Sequence, residues 1–268
     1  MCPRLFTIGS FSLPTYGLLV AAGFLVGLYL LGKLSQRQGL DPEKMGNLGV
    51  YVALAAIAGA KIFMTFADLD VYLEDPGRLF SSSWLQAGGT FYGGLLAALA
   101  TAFWYCRKEG IGGLEAADTF APAAAIGHSI GRLGCFAAGC CWGKPSSLPW
   151  AVMFTDPHAR ALTGVPLGVH LHPTQIYEAL GTFAVGLVLW KLFARPHRAG
   201  TILGWYLVLY SSFRFGVEFL RAESPRNFLF DGALSTTQWI ALLLVGAGAY
   251  LLTRRGEDAT ARETPSSR

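Results

Sequence analysis

The sequence predicts an all-α, multi-pass integral membrane protein with seven transmembrane helices and small cap segments on its outer face. Of its 268 residues, 53% are hydrophobic and only 14% are charged, whereas an ordinary soluble domain carries about 25% charged residues. Several apolar runs approach the roughly 20 residues that a helix needs to cross a bilayer core. Backbone polar groups in lipid must find partners within their own segment, so these runs are predicted to be helices.

Seven apolar stretches follow one another along the chain. The second carries Lys61 and the fourth carries His128 and Arg132, so a strict hydropathy threshold can reject either of them. We predict one transmembrane domain over residues 1–255, followed by a polar, disordered tail over residues 256–268. The predicted spans are about 15–32, 46–67, 89–106, 116–136, 174–194, 200–220 and 235–253.

The segments between the spans predict the orientation of the protein in the membrane. Segments 68–88 and 142–172 are too long to be simple turns and are interpreted as cap segments on the outer face. Twelve basic residues follow the odd-numbered stretches, and six lie on the other side. The positive-inside rule then places the amino terminus outside and the carboxyl terminus in the cytoplasm. The net charge of +4 is therefore attributed to topology, and no nucleic-acid partner is expected.

Charged residues at membrane depth are the first candidates for function, because each costs a few kcal/mol to insert. Arg214 is followed by Glu218 at i+4 and Arg221 at i+7, which places the three on one helical face. Two interpretations remain open: a self-paired charge that fixes helix packing, or a site for a phospholipid headgroup. Arginine suits the second, because its planar fork can donate two parallel hydrogen bonds to a phosphate. Lys61 and Arg132 are the other basic candidates.

The fourth stretch carries a second concentration of unusual residues. His128 precedes Arg132 by four residues, so the two side chains share a helical face. Cys135, Cys140 and Cys141 follow shortly beyond. Three interpretations of these cysteines remain open: small packing residues, a metal site, or a reactive thiol whose pKa is lowered by the neighbouring basic groups. The C-x4-C-C spacing matches no common zinc pattern, and neither a metal nor a cofactor is expected.

Polar residues also mark the start of the fifth span. Pro173 is predicted at the first helical position and His172 at or near the cap. Gln175, Tyr177 and Glu178 are too polar for lipid and are expected to face the interior of the bundle.

These residues, taken together and in this order, resemble the prolipoprotein diacylglyceryl transferase family over nearly the whole chain. The resemblance implies a seven-helix enzyme of the bacterial cytoplasmic (inner) membrane, active toward the outer leaflet. It further implies that the diacylglyceryl group of phosphatidylglycerol moves to the lipobox cysteine of a lipoprotein precursor, with release of glycerol phosphate. The matching pieces are Tyr16-Gly17, Gly88-Gly89 with Gly93-Gly94, Asp118 before Phe120-Ala121-Pro122, Gly131 to Gly134 with Phe136, Gly139, Trp142 and Gly143, then His172 to Glu178, and Phe213-Arg214 with Glu218-Phe219 and Arg221.

The sequence departs from the family pattern where chemistry is expected. Tyr92 stands where the family has a histidine, Cys135 and Ala138 stand at its signature asparagines, and Cys140 stands at a glutamate. The main alternatives are a divergent relative that uses Cys140 and Cys141 on another acceptor or in thiol chemistry, and a lipid-binding or transport protein without catalysis.

The candidate residues divide into two groups. Those expected in catalysis are Arg132, Arg214, His128, Tyr92, Cys140 and Cys141. Those expected to bind phosphatidylglycerol, the precursor or membrane lipid are Tyr16, Lys61, Cys135, Gly143, His172, Gln175, Tyr177, Glu178, Glu218 and Arg221.

Overall fold

A computed structural model describes residues 4–8, 11–81, 84, 89–222, 228–229 and 234–254, and these residues are mostly helical. The predicted tail over 256–268 lies outside the described residues. In chain order the helices are α1 (Thr15–Gln38), α2 (Pro42–Ala67), α3 (Leu69–Glu74), α4 (Phe91–Glu109), α5 (Gly113–Ala138), α6 (Pro157–Thr163), α7 (Thr174–Phe193), α8 (Thr201–Glu218) and α9 (Thr236–Thr253). The strands are β1 (Arg4–Ile8), β2 (Phe11–Pro14), β3 (Val152–Met153), β4 (His170–Leu171), β5 (Phe228–Leu229) and β6 (Leu234–Ser235), and they form three antiparallel pairs in sequence order.

Each of the seven predicted stretches falls on a long helix, but the helix ends differ from the predicted limits. α1 continues six residues past the predicted limit and stops before Gly39, whose φ of +74° is the left-handed conformation that favours glycine. α2 begins at Pro42, and the Asp41 carboxylate caps it by accepting a hydrogen bond from the backbone N–H of Glu43 at 2.8 Å. Hydropathy therefore locates the apolar part of a helix, whereas capping residues determine where the helix ends.

Four helices of the described chain, α1, α2, α7 and α9, are long and apolar enough to cross a membrane. α2 is among them despite Lys61. Helices α4, α5 and α8 are not, and the last two carry Arg132 and Arg214, which lower their mean hydropathy. The chain is thus a helical membrane protein, and the count of seven spans stays a prediction.

The chain divides into two compact units, one formed by Met1–Leu30 with Ala117–Arg268 and the other by Leu31–Ala116. In the first unit, α1 and α5 approach closely at Gly23 and Gly127. A Cβ atom on either glycine would lie within 2.7 Å of the carbonyl oxygen of the other. Small residues allow such close packing between membrane helices, where dispersion contacts and hydrogen bonds replace the hydrophobic effect.

In the second unit, α2 packs against α4 through a similar glycine pair, Gly59 and Gly93. Lys61 of α2 donates from Nζ to the carbonyl oxygen of Trp84 at 2.5 Å and lies 4.9 Å from the centre of the Trp84 ring. Tyr92, near the start of α4, is 54% exposed. Two predicted site residues, Lys61 and Tyr92, therefore belong to this unit.

The predicted cap segment 142–172 is folded rather than extended. β3 pairs with β4, and α6 lies between them in sequence. The segment has a small apolar core of its own, formed by Phe154, Ala159, Val165 and Leu171, with Trp142 and Leu167 packed against it. The short strands of this segment, of the amino-terminal residues and of the connection between α8 and α9 are additions to the predicted all-α architecture.

The start of α8 is fixed by a carboxylate from another helix. Asp118 of α5 is completely buried and accepts hydrogen bonds from the backbone N–H groups of Gly200 and Leu203, each at 2.7 Å. A helix begins with backbone N–H groups that lack partners inside the helix, and a negative charge also suits this positive end of the helix dipole. Asp118 therefore sets the position of α8, the helix that carries Arg214.

We expect Asp118→Ala to destabilise the protein, because the buried N–H of Gly200 and the partly buried N–H of Leu203 lose their acceptor. The cost is about 1–3 kcal/mol for a buried group. A lower unfolding midpoint in detergent, measured by tryptophan fluorescence, checks this. Asp118→Asn is the matched control and should lower the unfolding midpoint less, because the amide keeps one acceptor oxygen. An unchanged midpoint for the alanine variant would contradict the capping role.

Candidate active site

The centre of the first unit contains the predicted pair of His128 and Arg132. The Nε–H of Arg132 donates to Nε2 of His128 at 3.1 Å, as the i+4 spacing on α5 predicts. The His128 ring also packs edge-on against Tyr210 of α8, with ring centres 5.7 Å apart. In this geometry His128 orients the guanidinium group of Arg132.

Three arginines surround one buried carboxylate. Glu178 of α7 is 2% exposed, and it lies 2.6 Å from Nη2 of Arg132, 3.6 Å from Nη1 of Arg221 and 3.9 Å from Nε of Arg214. Arg214 also pairs with Glu218 at 2.6 Å, as the i+4 spacing on α8 predicts. We name these five residues the arginine cluster; they come from α5, α7, α8 and the residues directly after α8.

The second carboxylate of the arginine cluster ties α8 to α9. The hydroxyl of Ser235 donates to Oε1 of Glu218 at 2.9 Å. Ser235 is also the N-cap of α9, where it forms a capping box with Gln238. The orientation of Glu218, and through it that of Arg214, is therefore set by the beginning of the last helix.

The three cysteines after Arg132 converge in space. The Sγ atoms of Cys135, Cys140 and Cys141 all lie within 4.8 Å of one another, and we name them the thiol cluster. The convergence follows from how α5 ends. The N–H of Gly139 donates to the carbonyl of Phe136, and the N–H of Cys140 donates to the carbonyl of Cys135. This is a Schellman turn with glycine in the left-handed position, at a φ of +76°, and it folds the chain back over the last helical turn.

The first residues of α7 hold the thiol cluster in place. Thr174 Oγ1 donates to the carbonyl of Cys141 at 2.7 Å, and Gln175 Nε2 donates to the carbonyl of Cys140 at 2.6 Å. Both side chains are completely buried. The structure confirms the interior position of Gln175 and Glu178, whereas Tyr177 is only partly buried. Pro173 is the N-cap residue of α7, so this helix begins one residue later than predicted.

Position 143 requires glycine because the surrounding atoms leave no room for a Cβ atom. A Cβ atom there would lie 2.6 Å from Cβ of His172, and 2.7 Å from the carbonyl oxygens of both His172 and Leu220. Its N–H donates to the His172 carbonyl at 3.1 Å, and it pairs with Arg221 as an isolated antiparallel bridge. The residue thus joins the thiol cluster to the chain that carries Arg221.

We expect Gly143→Ala to destabilise the protein by about 1–3 kcal/mol, the usual range for overpacking a filled site. The measurement is thermal unfolding in detergent. Gly131→Ala is the matched control, because a Cβ at Gly131 meets nothing within 4 Å. Equal unfolding midpoints for the two variants would show that close packing around Gly143 does not contribute to stability.

The remaining predicted residues of this unit lie at its margins. The Tyr177 hydroxyl accepts from Trp150 Nε1 at 2.8 Å and lies 3.3 Å from Nδ1 of His172. Tyr16 is the second residue of α1 and lies beside α5, where a Cβ on Gly134 would lie 3.2 Å from the Tyr16 carbonyl oxygen. Tyr16 also interacts electrostatically with Arg132 and with the thiol cluster. Lys61 and Tyr92 lie in the second unit.

Sequence reasoning missed two neighbours of the arginine cluster, Tyr210 and Ser235. Tyr210 interacts with both Arg132 and His128. Its position had a signal in the sequence, because Tyr206, Tyr210, Arg214 and Glu218 recur every four residues and so share one face of α8. Ser235 had no comparable signal, since its contact with Glu218 depends on how α9 packs.

Fold and site together define a helical membrane protein in which buried guanidinium groups from separate helices form one polar centre. The chain belongs to the prolipoprotein diacylglyceryl transferase family, whose model matches residues 3–254. It is 32% identical over 252 residues to the phosphatidylglycerol–prolipoprotein diacylglyceryl transferase of Clostridium tetani, with 94% of this chain and 96% of the relative covered. It is 35% identical over 267 residues to the protein of that name from Solidesulfovibrio magneticus, with 97% of each chain covered.

Proposed function

We propose that this protein transfers the diacylglyceryl group of phosphatidylglycerol to the cysteine thiol of a lipoprotein precursor and releases glycerol phosphate. The names of its relatives supply the two substrates. The observation that carries the proposal is the arginine cluster, in which Arg132 of α5 and Arg214 of α8 approach the same carboxylate of Glu178. We further propose that the acceptor is the lipobox cysteine of the precursor.

The arginine cluster has more donors than its own carboxylates can accept. Three guanidinium groups carry about fifteen N–H donors, whereas two carboxylates offer about eight acceptor sites. The non-bridging oxygens of a phosphodiester can take up part of this excess, in paired hydrogen bonds that match the guanidinium fork. The same donors stabilise the charge that develops on glycerol phosphate as it leaves, which is electrostatic catalysis by groups already in place.

The acceptor thiol must lose its proton before its sulfur can attack the glyceryl carbon. His128 is a candidate base, but its Nε2 already accepts from Arg132, which leaves Nδ1 for the acceptor proton. Tyr92, the other base predicted from the sequence, belongs to the second unit. Both assignments are proposals.

For the location, we propose the cytoplasmic membrane of a bacterium, with the amino terminus outside and the carboxyl terminus inside. The support is the distribution of basic residues, twelve on the proposed cytoplasmic side against six on the other. The arginine and thiol clusters would then act toward the outer leaflet.

The decisive assay uses the full chain in vesicles that contain phosphatidylglycerol labelled in its terminal glycerol. With an acceptor peptide that carries a lipobox cysteine, we expect labelled glycerol phosphate and a thioether on the peptide. The same peptide with serine in place of cysteine should give neither. A lipid-binding or transport protein would leave the phospholipid intact with both peptides, and that result from a folded sample would overturn the proposal. Complementation of a strain depleted of its own diacylglyceryl transferase is the matching test in cells.

A further inference from the structure

The thiol cluster has the composition and geometry of a metal site, contrary to the expectation from its spacing. In a tetrahedral zinc site with Zn–S bonds of about 2.3 Å, the sulfur atoms lie about 3.8 Å apart. The three Sγ atoms here are all within 4.8 Å of one another. To bind one zinc ion, the three sulfur atoms would therefore have to move closer to one another by no more than about 1 Å. The spacing of the cysteines along the sequence does not indicate a metal site, because the Schellman turn at Gly139 folds Cys140 and Cys141 back over Cys135.

The backbone around these sulfur atoms is held by independent contacts. Buried Thr174 and Gln175 bond the carbonyls of Cys141 and Cys140. Cys141 has a φ of +59°, the one positive value for a non-glycine residue in the described part of the chain. Such a conformation is costly for a residue with a side chain and persists where the surroundings impose it. Supporting hydrogen bonds of this kind orient ligands at metal sites.

The electrostatics of the surroundings also favour three thiolates with a divalent ion. The arginine cluster contains three guanidinium groups and two carboxylates, a surplus of one positive charge in a mostly buried setting. A divalent ion with three thiolates carries one net negative charge, opposite in sign to that surplus. Buried charge is stable only when it is compensated, so the two clusters complement each other.

We propose that Cys135, Cys140 and Cys141 bind one zinc-class divalent ion and leave its fourth tetrahedral position for the thiol of the acceptor cysteine. Among the described residues, no further His, Cys, Asp or Glu ligand atom joins the group. Three protein ligands with one exchangeable position is the arrangement of catalytic rather than structural zinc. Soft thiolate ligands select a metal of this class over magnesium or calcium.

This role in acceptor activation rests on the proposed transferase function. On binding the ion, the acceptor thiol would give its proton to the proposed base, His128. Its sulfur then forms a bond to the glyceryl carbon of the lipid, and the carbon–oxygen bond to phosphate breaks. The electron pair stays on the oxygen of glycerol phosphate, and nothing is oxidised or reduced. Metal activation would place the acceptor thiolate beside Cys135 and Cys140, which stand at signature positions of the family.

The first test is metal binding by the full-length protein, reduced and stripped with a chelator. We expect one Co²⁺ per chain, with the absorption of cobalt–thiolate charge transfer, and displacement of Co²⁺ by Zn²⁺. In the unmutated protein, Zn²⁺ should protect all three cysteines from alkylation, as read by peptide mass spectrometry. This test uses only the unmutated protein, so it does not depend on whether a variant folds. Thiols that bind neither ion, or that only oxidise to a disulfide, would overturn the proposal.

Variants locate the ligands. We expect each of Cys135→Ser, Cys140→Ser and Cys141→Ser to weaken Zn²⁺ binding by more than about 100-fold, since losing an outer-shell partner alone costs about 10–100-fold. Cys106→Ser, at the buried cysteine of α4, is the matched control and should bind as the parent does. Full affinity in all three cluster variants would also reject the site.

A third arm separates this inference from the transferase function. The cysteine acceptor peptide should change the cobalt spectrum, the serine peptide should not, and chelation should stop transfer until Zn²⁺ is restored. If the metal binds but the cysteine peptide leaves the cobalt spectrum unchanged, the acceptor thiol does not occupy the fourth coordination position. Transfer that persists without metal rejects metal activation but keeps the transferase, whereas metal binding without any transfer rejects the transferase alone.

Discussion

Arg132→Ala should lower the rate of diacylglyceryl transfer by about 100- to 1000-fold, which is the usual effect of removing one donor that stabilises charge in a transition state. Arg132 is held on two sides, by His128 at 3.1 Å and by Glu178 at 2.6 Å, so its guanidinium group is kept in one orientation. Arg132→Lys should be intermediate, because it keeps the charge but loses the planar fork. The measurement is release of labelled glycerol phosphate from vesicles at matched protein levels.

Arg78→Ala is the matched control, since Arg78 is 59% exposed and its ion pair with Asp75 is also exposed. We expect its transfer rate to equal that of the parent. If Arg132→Ala transfers lipid at a near-normal rate, the assignment of Arg132 to the phosphate is wrong.

Glu178→Ala should impair both stability and transfer. Removing this carboxylate leaves Arg132, Arg214 and Arg221 without the partner that they share. Breaking a buried ion pair by removing one side costs about 3–5 kcal/mol, because the remaining charge is uncompensated. We expect a much lower unfolding midpoint in detergent and little transfer.

Glu178→Gln is the informative comparison. The amide oxygen can still accept one hydrogen bond but cannot balance the positive charge, so this variant should fall between the parent and Glu178→Ala. High ionic strength should rescue it only slightly, because buried charges are poorly screened. An unfolding midpoint and a transfer rate equal to those of the parent would show that Glu178 is not the centre of the arginine cluster.

The sequence predicted the contacts that lie within one helix. The pairs His128 with Arg132 and Arg214 with Glu218 follow from i+4 geometry alone, and the structure confirms both. Sequence pattern could not predict that Glu178 would meet arginines from other elements, nor that Asp118 would cap α8 across 82 positions. Such contacts depend on how helices pack, which single-sequence periodicity does not encode.

The thiol cluster shows a different limit of sequence reasoning. The spacing of its cysteines matched no common zinc pattern, yet a Schellman turn brings the three sulfur atoms together. The glycine that makes this turn possible was visible in the sequence as Gly139, but its meaning depends on α5 ending at Ala138. Hydropathy had a related limit, because charges paired inside the protein lower the mean hydropathy of α5 and α8 as much as exposed ones would.

The most direct test of the central claim is equilibrium binding of phosphatidylglycerol and of its neutral methyl phosphotriester to the full-length protein in nanodiscs of uncharged lipid. If guanidinium groups from α5 and α8 hold the phosphate, the parent should prefer the anionic lipid by at least about tenfold, or about 1.4 kcal/mol. Arg132→Gln should lose most of that preference. Equal affinity of the parent for the two lipids would contradict the claim that the arginine cluster recognises the phosphate.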